Sequence, residues 1–263
     1  MKALYDNEGL KIFNEMGIHT IEKDRYAKIE NEIFWNDEEI NDDDKNYLSE
    51  SNKLKEKITD IDFDDSISEI DVGAFKNCNN ITKMIVPEGV KSIYLNAFSN
   101  CKNLKELKLP DSLDFMETFN FANCPSLKSV IYKNQNIEPI IFAYNNERMR
   151  NELYLGERDW NMLVIANYMI QNNIALTHEN IAQEVKNRDI EIKKEIFNQL
   201  TENEIDFIKE NVDSNIIENK YPESLVEELS NINEELSSKL ENLLYNIKYP
   251  GKEMREMEEE LEF

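Results

Sequence analysis

The sequence predicts an α+β chain in three parts: a helical capping segment over residues 1–52, a short repeat solenoid of three to four 23-residue coils over 53–146, and an all-α domain over 147–263. Three observations carry this. The pattern Phe-x-Asn-Cys recurs as Phe75, Asn77, Cys78, then Phe98, Asn100, Cys101, then Phe121, Asn123, Cys124, each copy 23 residues after the last. Apolar columns keep the same offset: Ile67, Val90, Leu113; Ile70, Ile93, Met116; Ile81, Leu104, Leu127; and Met84, Leu107, Val130. A fixed register without insertions is the signature of stacked, near-identical coils. Beyond residue 147 that period vanishes, and apolar stripes at helical spacing replace it.

The 263 residues carry 30 basic and 54 acidic side chains, a formal net charge of −24. The excess is uneven: −8 over residues 1–50, −2 over 51–146 and −14 over 147–263. Two acidic flanks around a nearly neutral middle repel phosphate backbones and anionic membranes and attract basic protein surfaces. The plainer reading is that the acid serves solubility. The first residues, Met1-Lys2-Ala3-Leu4-Tyr5-Asp6, form no apolar core of signal-peptide length, so a cytoplasmic location is expected. The strongest apolar run, Met162 to Ile170, is too short to cross a bilayer and no membrane partner is expected. Three cysteines without a CxxC pair suit reduced thiols. Strand spacing of roughly 4.7–4.9 Å leaves a disulfide within the Cys column sterically open, but small buried thiols are the simpler reading.

In chain order, Asp6 or Asn7 is expected to cap a short helix carrying Leu10 and Phe13, stopped at Gly17-Ile18. A second helical stripe, Tyr26, Ile29 and Ile33, leads to Phe34 and Trp35, and Asn36 to Asp44 reads as a loop. Ile58, Ile61 and Phe63 then open the lattice with the L-x-x-L-x-L spacing of a leucine-rich repeat strand. Pleating sends Ile61 and Phe63 inward and Asp60, Asp62 and Asp64 to the opposite face, joined in later coils by Lys83 and Ile85, Glu106 and Lys108, and Ser129 and Ile131. Pro87 and Pro110 end two strands where a missing donor does least harm. The Phe column forms an apolar spine, and the Asn amides are expected to satisfy backbone groups left unpaired at the corner.

Ala74-Phe75-x-Asn77-Cys78-x-x-Ile81 before Val86-Pro87, and Ala97-Phe98-x-Asn100-Cys101-x-x-Leu104 before Leu109-Pro110, resemble the BspA-type leucine-rich repeat over about residues 58–146. The third copy departs, with Asn120 for Ala and Lys133 where the proline belongs. A fourth corner, Ala143-Tyr144-Asn145-Asn146, keeps the register but has Glu147 for Cys, as at the end of an array. Members of the family are often surface or secreted adhesins. With no export signal read here, that role is not carried over.

In the last third, Trp160, Leu163, Val164 and Tyr168, widened by Ile165 and Met169, predict a buried helix, and Thr177 caps the next with Leu176 and Ile181 as its staple. Ile192, Ile196, Phe197 and Leu200, then Ile205 and Ile208, continue the pattern. One long helix from Pro222 is expected to carry Leu225, Leu229, Ile232, Leu236, Leu240, Leu243 and Ile247, with a Glu235–Lys239 pair along it and a stop at Pro250-Gly251. Met254, Met257 and Leu261 read as a tail.

Chemistry is sparse. His19 and His178 lack a Ser or Cys partner at any recognised spacing, and the six scattered glycines form no phosphate loop. Asp60-x-Asp62-x-Asp64-Asp65 with Asp71 faintly imitates a calcium loop but has Asp where Gly is needed. Residues 177–200, with a turn at Asn187-Arg188-Asp189, scan as helix-turn-helix but lack a basic recognition face, so two antiparallel structural helices are expected. No metal, cofactor or catalytic residue is therefore expected. The leading expectation is a non-enzymatic module binding a basic protein partner through Asp60, Asp62, Asp64, Lys83, Ile85, Glu106, Lys108 and Ile131, with Phe75, Asn77, Cys78, Phe98, Asn100, Cys101, Phe121, Asn123 and Cys124 as its structural ladder. One alternative is an acidic nucleic-acid mimic that inhibits a nucleic-acid-binding complex, such as a phage-encoded anti-defence protein. The other is an enzyme with its site in the helical domain.

Overall fold

The computed structural model describes residues 1–35, 40–117, 119–145, 163–219 and 222–248. Two compact units emerge among the described residues, one within 1–145 and 163–180, the other within 181–248. The helix Leu163–Gln171 groups with the repeats.

The chain opens with strands, not with a helix. β1 (Lys2–Asp6), β2 (Gly9–Asn14) and β3 (Gly17–Glu22) form an antiparallel meander joined by two-residue turns. The i, i+3 spacing of Leu10 and Phe13 suits either element. Alternation decides: Ala3, Tyr5, Leu10, Ile12 and Ile21 are buried on one face, while Phe13 stands 43% exposed on the other. Gly9, with φ +128, cannot be another residue, because a Cβ there would lie 2.1 Å from the Ile21 carbonyl oxygen. Gly17 ends no helix; it closes the second hairpin at φ +124.

Helix α1 (Lys23–Trp35) follows, burying Tyr26 and Ile29 as its stripe predicts but leaving Ile33 exposed. In α2 (Asp42–Lys55) the side chain of Asn41 accepts from the Asp44 N–H at 2.9 Å, placing Asp42, Asp43 and Asp44 in the first turn. These residues are a capped helix start rather than a loop; carboxylates there complement the positive end of the helix.

The repeats then run as β4 (Asp60–Phe63), β5 (Glu69–Ile70), β6 (Lys83–Ile85), β7 (Ser92–Ile93), β8 (Glu106–Lys108), β9 (Phe115–Met116) and β10 (Ser129–Tyr132), followed by β11 (Gln135–Asn136). Lys83 pairs with Glu106 and Glu106 with Ser129, while Ile70 pairs with Ile93 and Ile93 with Met116. The repeat strands of both sheets are therefore parallel at the 23-residue offset. Their columns are buried: Ile67, Val90 and Leu113; Ile70, Ile93 and Met116; Met84, Leu107 and Val130. β4 belongs to a different sheet, ordered β3-β2-β1-β4, in which Lys2 pairs in parallel with Asp60 and Tyr5 with Phe63. β1 thus acts as a strand laid ahead of the first repeat, which no 23-residue pattern announces.

At the corners the rings stack: Phe75 lies 5.6 Å from Phe98, and Phe98 lies 5.4 Å from Phe121 with planes 2° apart. Phe63 and Tyr5 meet Phe75 edge-on at 5.6 and 5.0 Å, extending the spine toward the N-terminus. The Asn column serves a purpose other than the expected amide ladder. Asn77, Asn100 and Asn123 are not buried, and their φ values of 67°, 59° and 58° are left-handed, a conformation Asn tolerates better than most residues. The ladder itself is backbone. The Phe75 and Asn77 N–H groups donate to Ala97 and Ser99 carbonyls, and those of Phe98 and Asn100 to Asn120 and Ala122. The Cys thiols join it, Cys101 Sγ donating to the Phe75 carbonyl at 3.2 Å and Cys124 Sγ to that of Phe98 at 3.1 Å. Asn120, the departure in the third copy, is fully buried because its amide accepts from the Ala97 N–H and donates to the Glu117 carbonyl.

The array finishes differently from the expected fourth corner. Lys133 and Asn134, with φ 47° and 59°, make a two-residue hairpin between β10 and β11, so no proline stands there. Residues 143–145 lie in α3 (Glu138–Asn145), and Asn146 lies outside the described residues. In α4 (Leu163–Gln171) Leu163, Ile165, Ala166 and Met169 are buried, whereas Tyr168 is exposed; Trp160 lies outside the described residues.

Helix α5 (His178–Asn198) runs unbroken through Asn187-Arg188-Asp189, which removes the helix-turn-helix reading and also the expected pair of antiparallel helices. The Thr177 hydroxyl accepts from the Asn180 N–H at its start, as predicted. After α6 (Glu202–Asn211) and α7 (Ser214–Asn219), the single long helix expected from Pro222 is two, α8 (Pro222–Ser230) and α9 (Glu234–Lys248). Asn233 Oδ1 accepts from the Leu236 N–H and starts α9, and the three-residue break preserves the apolar spacing that disguised it. Ile192, Ile196, Ile208, Val212, Leu225, Leu229, Leu236, Leu240 and Leu244 form this unit's core, while Ile232, in the break, is exposed. Pro250-Gly251 and the tail methionines lie outside the described residues.

Candidate interaction surface

Pleating turns alternate residues of the short parallel strands to solvent. Lys83 and Ile85 on β6 and Glu106 and Lys108 on β8 are exposed, around buried Met84 and Leu107. Ile85 keeps 56% of its surface in water, unusual for a residue held in a sheet. Lys83 Nζ and Glu106 Oε2 pair across the strands at 3.0 Å, an exposed contact that orients both chains but contributes little stability. Ile131 on β10 is only partly exposed.

Asp60, Asp62 and Asp64 are exposed as expected, but they accompany β1 in the first sheet and form no continuous ladder with Lys83. Their carboxylates are also used singly. Asp60 accepts from the Thr59 hydroxyl at 2.9 Å; Asp64 accepts from Ser66, whose hydroxyl and N–H hold its pKa below the ordinary range. Asp71, the outlying member of the supposed calcium loop, receives the Tyr5 hydroxyl at 2.7 Å. The residues of that loop therefore do not converge. Among the described residues no group of three or more His, Cys, Asp or Glu side chains is placed to hold a metal.

Two ladders escaped the sequence reading because they use residue types that also populate ordinary loops. Asn80 Nδ2 donates to the Glu56 carbonyl and Asn103 Nδ2 to that of Asn79, both at 2.8 Å. The Ser112 hydroxyl accepts from the Gly89 N–H and donates to the Val90 carbonyl. The recurrence of Asn80 and Asn103 at 23 residues was the available signal for the first.

A third cluster, around Lys55, also went unread. This lysine is fully buried, its ammonium donating to the Gly73 carbonyl at 2.9 Å and lying 3.3 Å from the centre of the Tyr26 ring. Burial pushes its pKa down to about 7. Nearby, buried Glu30 pairs with Lys76. The adjoining cavity, lined by Tyr5, Tyr26, Lys55 and Asp71, holds about 10 Å³, room for one water and for no substrate. Burial likewise raises the thiols, Cys78 to about 12 and Cys124 to about 11, with Cys101 also raised, so none is an activated nucleophile.

His19 lies exposed on β3. In the helical unit, Asn203, Glu204, Phe207, Asn233, Leu236 and Lys239 line an open groove. Lys239 does not pair along its own helix with Glu235; it reaches Glu204 at 2.7 Å. The Lys239 ammonium and the Thr201 cap hold that carboxylate down at about 2, and Glu204 is there as the far half of the Thr201 capping box.

Residues 49–149 match the family described as BspA type Leucine rich repeat region (6 copies), so this segment is a repeat region of that type. Such repeats are generally protein-binding and typically non-enzymatic. No curated protein matches the chain. Among solved structures, a leucine rich cell surface protein from Faecalibacterium prausnitzii A2-165 is similar at 28% identity, with a TM-score of 0.29. The match covers 30% of this chain and 21% of that one, about a fifth of its length. Among the described residues no helix is long and apolar enough to cross a membrane.

Proposed function

We propose that residues 58–146 form a short solenoid whose strand face binds a protein partner, and that the chain is an interaction module without catalytic activity. The observation that carries this is the exposed set Lys83, Ile85, Glu106 and Lys108, an apolar residue ringed by both charge signs and held on a rigid backbone lattice. A side chain fixed by its strand loses little entropy on binding, so a mixed patch of this kind favours recognition. Asp60, Asp62 and Asp64 extend it as an acidic margin, and with the net charge of −24 they select a partner with a basic surface. A reducing compartment such as the cytoplasm suits the three free thiols.

The test is affinity purification from the native cell, comparing the wild type with an Ile85→Glu, Lys108→Glu variant and with an Asp60→Lys, Asp62→Lys, Asp64→Lys variant. Loss of one dominant protein from both eluates is expected. Equal recovery with the first variant removes the repeat face from consideration; equal recovery with the second removes the acidic margin.

A further inference from the structure

The outer edge of β3 supplies a second, independent surface. The N–H of Lys23 turns inward to the Glu8 carbonyl, whereas the N–H of Glu22 turns outward and donates to the Tyr47 hydroxyl at 3.0 Å. That hydroxyl also donates to the Glu22 carbonyl. Because strand geometry alternates, the N–H and C=O groups of Thr20 and Ile18 point outward too. Tyr47 covers the edge at Glu22 alone. Beyond it, the sheet ends in four backbone groups with no protein partner among the described residues, a ready template for another strand.

The side chains beside this edge are apolar and open. Ile18, 65% exposed, is the cross-strand partner of Phe13, 43% exposed, and Met16 at the hairpin tip is 96% exposed. Glu15 and Glu22 flank them, both exposed. Exposed edges are commonly protected by lysine, proline or a bulge, and residues 15–22 contain none of these. The net charge of −24 opposes a second copy at this edge and favours a cationic strand.

We infer that Gly17–Thr20 is a β-addition site for an extended, basic segment of a partner protein, one carrying an apolar residue and, four positions along on the same face, a basic one. Main-chain hydrogen bonds to Ile18 and Thr20 supply affinity; an apolar side chain beside Ile18 and Phe13, with lysine or arginine near Glu15 and Glu22, supplies selection. This does not depend on the repeat face, and either surface can fail without the other.

The probe is a capped peptide with valine at the position that meets Ile18, lysine four positions along on the same face to meet Glu22, a further lysine at the end near Glu15, and threonine elsewhere. It is compared with the same peptide N-methylated on the residues that would face β3, which keeps charge and composition but removes the donors. With the full chain, slowed hydrogen exchange at the Ile18 and Thr20 amides is expected, and about tenfold or greater weakening for the N-methylated peptide. Thr20→Pro, which deletes an outward donor without touching the β2 ladder, should weaken the unmodified peptide to a similar degree. Equal affinity for both peptides would show simple charge attraction and overturn the proposal, as would protection confined to other strands. Dimerisation of the peptide-free chain, abolished by Thr20→Pro, would assign the edge to a second copy and overturn it as well. If Thr20→Pro fails to fold, the peptide pair on the wild-type chain still decides.

Discussion

The two ends of the repeat stack meet the same problem, an aromatic spine that must not face water, and meet it with different chemistry. Before the first repeat, Tyr5 and Phe63 close edge-on over Phe75, and behind them lie buried Glu30, Ser51 and Lys55. After the last, β10 turns back through a left-handed pair, and Tyr132, Ile137, Ile140 and Ile141 are buried with exposures of 0–2%. There the buried Tyr132 hydroxyl donates to the Leu113 carbonyl at 2.8 Å and lies 3.0 Å from the Asn167 amide oxygen. One end is built partly on a desolvated cation, the other on apolar side chains and satisfied backbone. The lesson is that a regular array constrains its neighbours in shape but not in polarity, so its ends can differ in their response to pH.

Four measurements sharpen or break that contrast. The largest effect is expected from Phe98→Ala, which removes the ring on which both ends finally rest. Denaturant unfolding should show a loss of about 3–5 kcal/mol, and a loss below about 1 kcal/mol would mean the spine is not continuous.

The second concerns Lys55. Its folded pKa of about 7 lies below its ordinary value of 10.5, so between these values the unfolded chain binds the proton more readily. Stability therefore rises with pH across that window, and the desolvation penalty is present in full below about pH 7. Unfolding at pH 6.5 and at pH 8, below the range in which the raised thiols bear on stability, should differ by on the order of 1 kcal/mol in the wild type. In Lys55→Met that slope should vanish, while Ile140→Val at the other end should leave it intact. A wild-type slope surviving in Lys55→Met would remove the contrast between the ends.

Third, Asn134→Val at the terminal hairpin should cost about 1–2 kcal/mol, whereas Asn134→Gly should stay within about 0.5 kcal/mol, since the left-handed backbone rather than the amide is what the turn needs. The same pair of substitutions at Asn100 separates the observed role of the Asn column from the amide ladder first expected. Smallest is Glu204→Gln in the helical unit. The carboxylate there is held at about 2 against an ordinary 4.5, so its stabilisation is present above pH 4.5 and lost as pH falls through 2. Wild type and variant should therefore converge in melting temperature between pH 5 and pH 2, and added salt should shrink their difference.

Legibility followed redundancy. The corner motif of Phe75, Phe98 and Phe121 appears three times in the chain, so the pairing of Glu106 with Lys83 on one side and Ser129 on the other could be read before any coordinates. Leu10 and Phe13 appear once, and a single i, i+3 pair fits a strand as readily as a helix. The break at Asn231-Ile232-Asn233 was hidden for a related reason: three residues are nearly one helical turn, so α8 and α9 keep one apolar phase through the break. The candidate surface was legible in its side chains, because pleating alone exposes Lys83, Ile85, Glu106 and Lys108. Its extent was not, because which strand lies beside β4 depends on β1, nearly sixty residues earlier.

What the sequence determined by itself is the repeat: its period, its spine and the inward and outward faces of its strands, all of which follow from periodicity and hydrophobicity within one short stretch. Tertiary structure alone decided the partners at its two ends, the burial of Lys55 and the open edge at Ile18 and Thr20. These depend on residues distant in the chain meeting in space, and whether a lysine is solvated or a strand edge is covered is a property of what arrives beside it.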